Sequence, residues 1–366
     1  MRLPGSVLVM LLALNGARAS ADQPVIRISI DRVQLDAVVT DAAGQPVTDL
    51  GLEDFAILES GQPREVTNVT YVDSSTPGSA GHERAPRTIV VVFDDLGISL
   101  FGAAAAKAAL ERFAGVPFAP GDHVGLVRTS QKAASYTFFG TNEELLAAAS
   151  KLRGHAANMS GADGMEDGIP ALVRMTLDRR LRVIVGTIDG LRGLPGRKAV
   201  VLLSEGFPPD LGGFLGIRRR TPYDSLFYDA SLYRDDYAQA LQLITEVANR
   251  ASAVIYAVDP RGVVGALAPG QDSLQDLADR TCGLAVLNRN DILRGLRQVI
   301  ADQAGYYLLG FEPPGSTFHW KSGRPEFHSL KVKVNRPGLK VRSRSGFYGI
   351  TDQDVARRVP QTALEN

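Results

Sequence analysis

Thr88-Ile89-Val90-Val91-Val92-Phe93 is an unbroken apolar run, rich in β-branched residues, that ends on two acids, Asp94-Asp95. A strand with one wet face alternates apolar and polar residues. A run without alternation needs cover on both faces, as a strand has inside a parallel sheet wrapped by helices. Further strand-like segments follow at Val124 to Thr129, Lys198 to Leu203, Ala253 to Val258 and Leu284 to Leu287. Between them the pattern turns helical, at Ala103 to Ala114 and near 142–152, 168–192, 234–250 and 290–303. In the 234–250 segment Leu241, Ile244, Val247 and Ala248 share one helix face. Strand and helix alternating with short connections predict a doubly wound, mostly parallel α/β sheet over residues 88–304.

The flanks read differently. Ile26, Ile28 and Ile30 alternate with polar residues, then Val33, Leu35, Ala37 and Val39 alternate in the opposite parity, which implies a break near Asp31-Arg32. Phe55 to Leu58 and Val66 to Val72 add strands, so residues 22–72 form an N-terminal β unit. A Ser-, Pro- and Gly-rich linker spans 73–87. After residue 305 the chain is β again, at Tyr306 to Phe311, Leu330 to Val334 and Leu339 to Arg344, with a turn at Asn335-Arg336-Pro337-Gly338. A lone strand pair is marginal in water. The C-terminal unit, 305–350, is therefore expected to join 22–72 in one small all-β, sandwich-like domain into which the α/β body is inserted, leaving 351–366 as a tail.

Arg2, the apolar run Val7 to Leu14, and Ala17-Arg18-Ala19 with Ser20-Ala21 have the layout of a secretion signal over 1–21, far shorter than the roughly 20 apolar residues that span a bilayer. A periplasmic or secreted protein without a transmembrane segment after signal removal is the expectation. Lys plus Arg and Asp plus Glu each number 40, so net charge supplies no drive towards nucleic acid, and none is expected as a partner. The single cysteine, Cys282, excludes an internal disulfide and reads as a buried thiol.

Taken in order, Val39-Thr40-Asp41 with Gly44 and Pro46, Asp54-Phe55 with Glu59 and Gly61, Val91-Val92-Phe93-Asp94-Asp95, Ile255 to Gly262 and Tyr306 to Phe311 run through nearly the whole mature chain. Jointly they resemble the von Willebrand factor A-related proteins described mainly from Acidobacteria. The resemblance implies a Rossmann-like sheet with a metal-ion-dependent adhesion site at its carboxyl edge, where such folds place ligands. It implies one divalent cation, Mg2+ foremost with Mn2+ or Ca2+ as alternatives, held by hydroxyls and carboxylates and bridged to a protein or cell-surface ligand. The usual Asp-x-Ser-x-Ser is degenerate here, because Leu96 and Ile98 occupy the serine positions. The candidate ligands are then Asp94, Asp95, Ser99, Ser160 and Glu205, with Asp163, Glu166 and Asp167 beside Ser160. For Asp94 two roles stay open, metal ligand or an acid bonding loop amides at a strand end. Glu205, one methylene longer than the usual aspartate, fits the second role better.

Asp94-Asp95 after a strand also evokes phosphatase- and sulfatase-like hydrolases that bind a divalent ion through both acids. Such enzymes need a Cys or Ser nucleophile and several His ligands. Cys282 is followed by Gly-Leu-Ala, and His82, His123, His155, His319 and His328 are scattered, so a non-enzymatic binding module is the first reading and the hydrolase the alternative. Beyond Lys198 to Leu203, a long loop carries Phe214, Arg218, Arg219, Arg220, Tyr223, Phe227 and Tyr228. Tyr and Arg on such a loop suit protein recognition or a mobile surface insertion whose aromatics pack back on the domain. Lys331, Lys333, Lys340, Arg342 and Arg344 would give one hairpin a basic face.

Overall fold

The computed structural model describes residues 33–73, 86–119, 121–131, 136–154, 169–207, 231–264, 268–318 and 326–349, the side chains of 169–174 and 231–237 excepted. The signal segment, the break near Asp31-Arg32, most of the linker and the tail lie outside them. Across the described residues the protein is a mixed α/β structure with one mostly parallel six-stranded sheet and two antiparallel four-stranded sheets.

The parallel sheet holds β5 (Thr88–Phe93), β6 (His123–Arg128), β7 (Thr137–Phe139), β8 (Lys198–Leu203), β9 (Ala253–Val258) and β10 (Ala285–Val286), in the order β10-β9-β8-β5-β6-β7. Only β7 runs antiparallel. Within residues 88–304 it is one of two described elements the apolar pattern did not signal, the other being the helix Gln271–Arg280. Every residue of β5, β8 and β9 is buried. The reason is visible in their parity: Ile89, Val91 and Phe93 enter one core, and Val90 and Val92 the other. On the first face lie α1 (Leu100–Phe113), α2 (Asn142–Ser150) and the helix Ile292–Asp302. On the second lie α3 (Ile169–Gly190), α4 (Ser231–Arg250) and α5 (Gln271–Arg280), α4 contributing Leu241, Ile244 and Ala248. Ile292–Asp302 is α6.

From β5 the chain winds outward through β6 and β7, then returns to β8 on the other side of β5 and winds outward through β9 and β10. The reversal lies between β5 and β8. Loops leaving these two strands diverge, and the crevice they leave at the carboxyl edge is where open α/β sheets bind ligands.

β1 (Val33–Thr40), β2 (Phe55–Glu59), β3 (Gln62–Arg64) and β4 (Val66–Asp73) precede this sheet in the chain, and β11 (Gly305–Phe311), β12 (Phe327–Val334), β13 (Lys340–Ser343) and β14 (Gly346–Tyr348) follow it. They combine as β13-β1-β11-β4 and β14-β12-β2-β3. Leu35, Ala37 and Val39, Tyr307, Leu309 and Phe311, and Ile57, Leu330 and Val332 share one core between the two sheets. The turn at 335–338 therefore carries the chain from one sheet to the other, and β12 and β13 are not a paired hairpin. This corrects the expected basic face. Lys331 and Lys333 sit in one sheet, Lys340 and Arg342 in the other, and Arg342 is turned inward to pair with Asp302.

β1 is buried on both faces because its second face meets the amino edge of the parallel sheet. There Val38, Cys282 and Tyr306 form a small apolar cluster. Burial raises the Cys282 thiol pKa, with Arg197 and Arg342 pulling the other way. Arg197, just before β8, pairs with Asp36 of β1 at 3.3 Å and with Asp302 at the end of α6 at 3.7 Å. It donates to the Cys282 carbonyl at 3.3 Å and lies 5.2 Å above the Tyr306 ring. Asp302 accepts from the Tyr256 hydroxyl at 2.5 Å.

Removing one member of a buried charge network leaves the others uncompensated. Arg197→Met is expected to lower the unfolding free energy by about 3–5 kcal/mol, read as a lower urea midpoint at unchanged m, with Arg197→Lys between it and the wild type.

Candidate functional site

The ladder delivers three side chains to the crevice at the same level. Phe93 is in register with Arg128 of β6 and Leu203 of β8, so the next residues, Asp94, Thr129 and Ser204, stand side by side at the carboxyl edge. Their amides continue the ladder, Asp94 to Leu203 at 3.0 Å, Thr129 to Phe93 at 3.2 Å and Ser204 to Val258 at 3.1 Å. They keep the parity of Val92, Val127 and Leu202, all in the second core, so they point towards α3.

α3 meets them with a cation. Leu177, Val183, Ile184 and Ile188 form its buried stripe, and Arg180 falls on that stripe with 1% exposure. The Asp94 carboxylate, fully buried, accepts from Arg180 Nε at 3.0 Å through Oδ1 and from Nη2 at 2.6 Å through Oδ2. The Thr129 hydroxyl lies 2.9 Å from Oδ1, and the Ser204 hydroxyl donates to Oδ2 at 2.6 Å. A carboxylate offers about four acceptor positions, and all those of Asp94 face protein donors. The guanidinium also donates to the Gly206 carbonyl at 2.8 Å and lies 4.4 Å above the Phe207 ring. A two-pronged charge-assisted pair of this kind is the strongest ordinary hydrogen-bonding arrangement.

Asp95, also buried, turns the other way. It accepts from the Ser130 amide at 2.8 Å and the Ser130 hydroxyl at 2.5 Å, and lies 3.1 Å from the Thr129 hydroxyl. Arg179 donates to the Ser130 carbonyl. Glu205 has the parity of Leu203 and faces α1, where its Oε1 accepts from the Ser99 amide at 2.8 Å and the Ser99 hydroxyl at 2.5 Å. Ser99 caps α1, its hydroxyl accepting from the Gly102 amide at 3.0 Å. Glu205 thus stands at the positive end of a helix. Gly102 makes the approach possible, since a Cβ there would lie 2.4 Å from Glu205 Oε1. After β9, Asp259 is held by Arg261 Nη2 at 2.7 Å and by the Gln271 side chain at 2.7 Å.

The predicted ligands therefore separate into Asp94 with Asp95, linked through Thr129, and Ser99 with Glu205. Ser160 and the loop residues Phe214, Arg218, Arg219, Arg220, Tyr223, Phe227 and Tyr228 lie outside the described residues. Among the described residues, no group of three or more His, Cys, Asp or Glu side chains is gathered in a way that could hold a metal ion.

No protein-family model matches the sequence. No curated protein is significantly similar to it. Among solved structures the chain is similar to the human COPII-coat protein Sec24c, at 10% identity over 84% of this chain and 47% of that one, with a TM-score of 0.32. It spans about half the length of that protein, and the site rests on its own geometry.

Sequence reasoning missed Thr129, Ser204 and Arg180. Strand register places Thr129 and Ser204 beside Asp94, and Ser160 lies outside the described residues. Arg180 did leave a trace, as a charged residue three after Leu177 and four before Ile184 on an otherwise apolar helical stripe.

Gly97 closes the site from above. A Cβ there would lie 2.2 Å from Arg180 Nη2 and 2.3 Å from Asp94 Oδ2, two buried atoms that hold each other in place. Gly97→Ala is expected to destabilise the fold by about 3 kcal/mol, at the top of the usual overpacking range. Gly193→Ala, where nothing lies within 4 Å of the added carbon, is the control and should unfold like the wild type.

Proposed function

We propose that this chain is an exported binding module, its α/β body a von Willebrand factor A-like domain inserted in a β-sandwich, and that it recognises a protein or cell-surface ligand rather than turning over a substrate. The observation that carries this reading is a contrast at the carboxyl edge. Asp94, Asp95 and Glu205 all accept hydrogen bonds from protein donors. Around them, large apolar side chains face solvent: Leu100 and Phe101, in the first turn of α1, are 61% and 72% exposed, and Val263, after β9, is 68% exposed. Uncovered apolar groups beside polar ones at a ligand-bearing edge are typical of contact surfaces.

The segment with Phe214, Arg218, Arg219, Arg220, Tyr223, Phe227 and Tyr228 follows β8 in the chain and supplies, in this reading, the aromatic and guanidinium anchors on which binding energy concentrates. A hydrolase needs an acid or a nucleophile presented to substrate, and the occupancy of Asp94 and Asp95 weighs against that alternative. Export rests on the 1–21 segment; no described helix is long and apolar enough to cross a membrane.

Affinity capture with the full chain, from secreted and envelope proteins of the source cells and with bound proteins identified by mass spectrometry, tests the reading. Leu100→Ser with Phe101→Ser, or deletion of 210–230, should reduce capture of the same protein roughly tenfold or more, a loss of about 1.4 kcal/mol. Leu243→Ser, exposed on α4, should not reduce it. Undiminished capture by both edge variants sinks the surface assignment. Hydrolysis of a phosphate or sulfate monoester that disappears in Asp94→Ala would replace the binding module with the enzyme.

A further inference from the structure

The residues at the switch point do not fit a divalent ion, and the misfit has a specific cause. A hard cation such as Mg2+ requires oxygen ligands at about 2.0–2.1 Å in near-octahedral array, each with a lone pair turned to the metal. Here the first such oxygens, Oδ1 and Oδ2 of Asp94, are turned to the Arg180 guanidinium at 3.0 and 2.6 Å. Of the hydroxyls, the type of group that would join the carboxylate around an ion, that of Ser204 instead donates to it, and that of Thr129 is shared between Asp94 and Asp95. The carbonyl of Gly206 accepts from Arg180 as well. One carboxylate, two hydroxyls and one carbonyl are thus gathered about a positive charge, and that charge is carried by a side chain.

We propose that Arg180 is the permanent cation of this site: its guanidinium holds the place and charge of a divalent ion, so that the carboxyl edge is assembled without metal. The proposal rests on the A-like reading only for the comparison with an ion. It accounts for the absent serines. Ile98, in the second serine position, is buried in the first core with α1. The guanidinium brings its own donors, so the hydroxyls of Asp-x-Ser-x-Ser have no cation to serve. It also accounts for Gly97. With the Phe207 ring on the flat face of the guanidinium and no side chain at 97, the fork reaches Asp94, and a Cβ at 97 would overlap both partners. A fixed planar charge suits this task better than an ammonium, since two parallel donors match two carboxylate oxygens. An edge built in this way binds its partner independently of ambient Mg2+, Mn2+ or Ca2+.

The test uses the full chain and thermal unfolding with MgCl2, MnCl2 or CaCl2 against EDTA. A ligand that binds only the folded state raises Tm, so wild type should show no ion-dependent shift up to about 10 mM. Arg180→Ala should melt roughly 5–10 °C lower in EDTA, because a buried carboxylate loses its counter-charge. Divalent ion should then restore part of the loss, since the same oxygens become free to ligate. Asp94→Asn in the Arg180→Ala background should recover stability in EDTA and abolish the ion response.

An ion-induced rise in wild type that Asp94→Asn removes overturns the proposal. So does an Arg180→Ala protein as stable as wild type, or one with no ion response. Should Arg180→Ala not fold, Mn2+ titration of wild type followed by electron paramagnetic resonance decides: free Mn2+ throughout supports the internal cation, and stoichiometric binding lost in Asp94→Asn refutes it. Failure of the binding-module reading shows elsewhere, as capture indifferent to the edge variants or as turnover.

Discussion

A carboxylate removed from water has to be neutralised where it stands, and much of the upper half of this protein follows from how Asp94 is neutralised. The end of the central strand β5 buries Asp94 fully, because the strands on either side and α3 above the second core close around it. Moving both ions of a pair out of water costs several kcal/mol each, which their attraction offsets only when the geometry is good and the remaining lone pairs are satisfied. Those conditions hold at Asp94. The guanidinium is two-pronged, Thr129 and Ser204 attend the other acceptor positions, and Phe207 and the Gly206 carbonyl cover the cation. The backbone paths at Gly97 and Gly206 are set by this arrangement as much as they set it. Gly206 has φ of +87°, and a Cβ there would lie 2.1 Å from the Gly270 carbonyl oxygen.

At the opposite edge the same physics serves a different end. Arg197, Asp36, Asp302 and Arg342 join the parallel sheet to the antiparallel sheet β13-β1-β11-β4 through a buried charge network around Cys282. The two networks divide the molecule's work. The amino edge is taken up by contact with β1, β11 and β13, whereas at the carboxyl edge the described acids are satisfied by protein donors and Leu100, Phe101 and Val263 are exposed.

The parallel sheet was legible in the sequence because its cause is local. Strands buried on both faces must be apolar throughout, and Thr88 to Phe93, Lys198 to Leu203 and Ala253 to Val258 declare themselves with their helices between. The edge elements were not. β7 is three residues long, and α5, with the sequence Gln-Asp-Ser-Leu-Gln-Asp-Leu-Ala-Asp-Arg, has only Leu274, Leu277 and Ala278 as apolar residues, and buries the polar Gln271 and Ser273 beside them. A turn of the type Asn-Arg-Pro-Gly signals a reversal of the chain but not the sheet to which it leads. That β12 and β13 belong to different sheets depends on partners some 270 and 300 residues away in sequence, β2 and β1.

The site divides along the same line. Order along the chain determined that acids would stand at the ends of β5 and β8 and that a segment bearing aromatic and arginine residues would follow β8. Which charge answers Asp94 was decided only in three dimensions. Strand register brings Thr129 and Ser204 level with it, and the pitch of α3 lowers Arg180 onto it from 86 positions along the chain. Sequence periodicity specifies which face a residue occupies. It does not specify what that face will meet, because the meeting depends on the order of strands in the sheet and on the packing of helix against sheet, and both are properties of the folded chain.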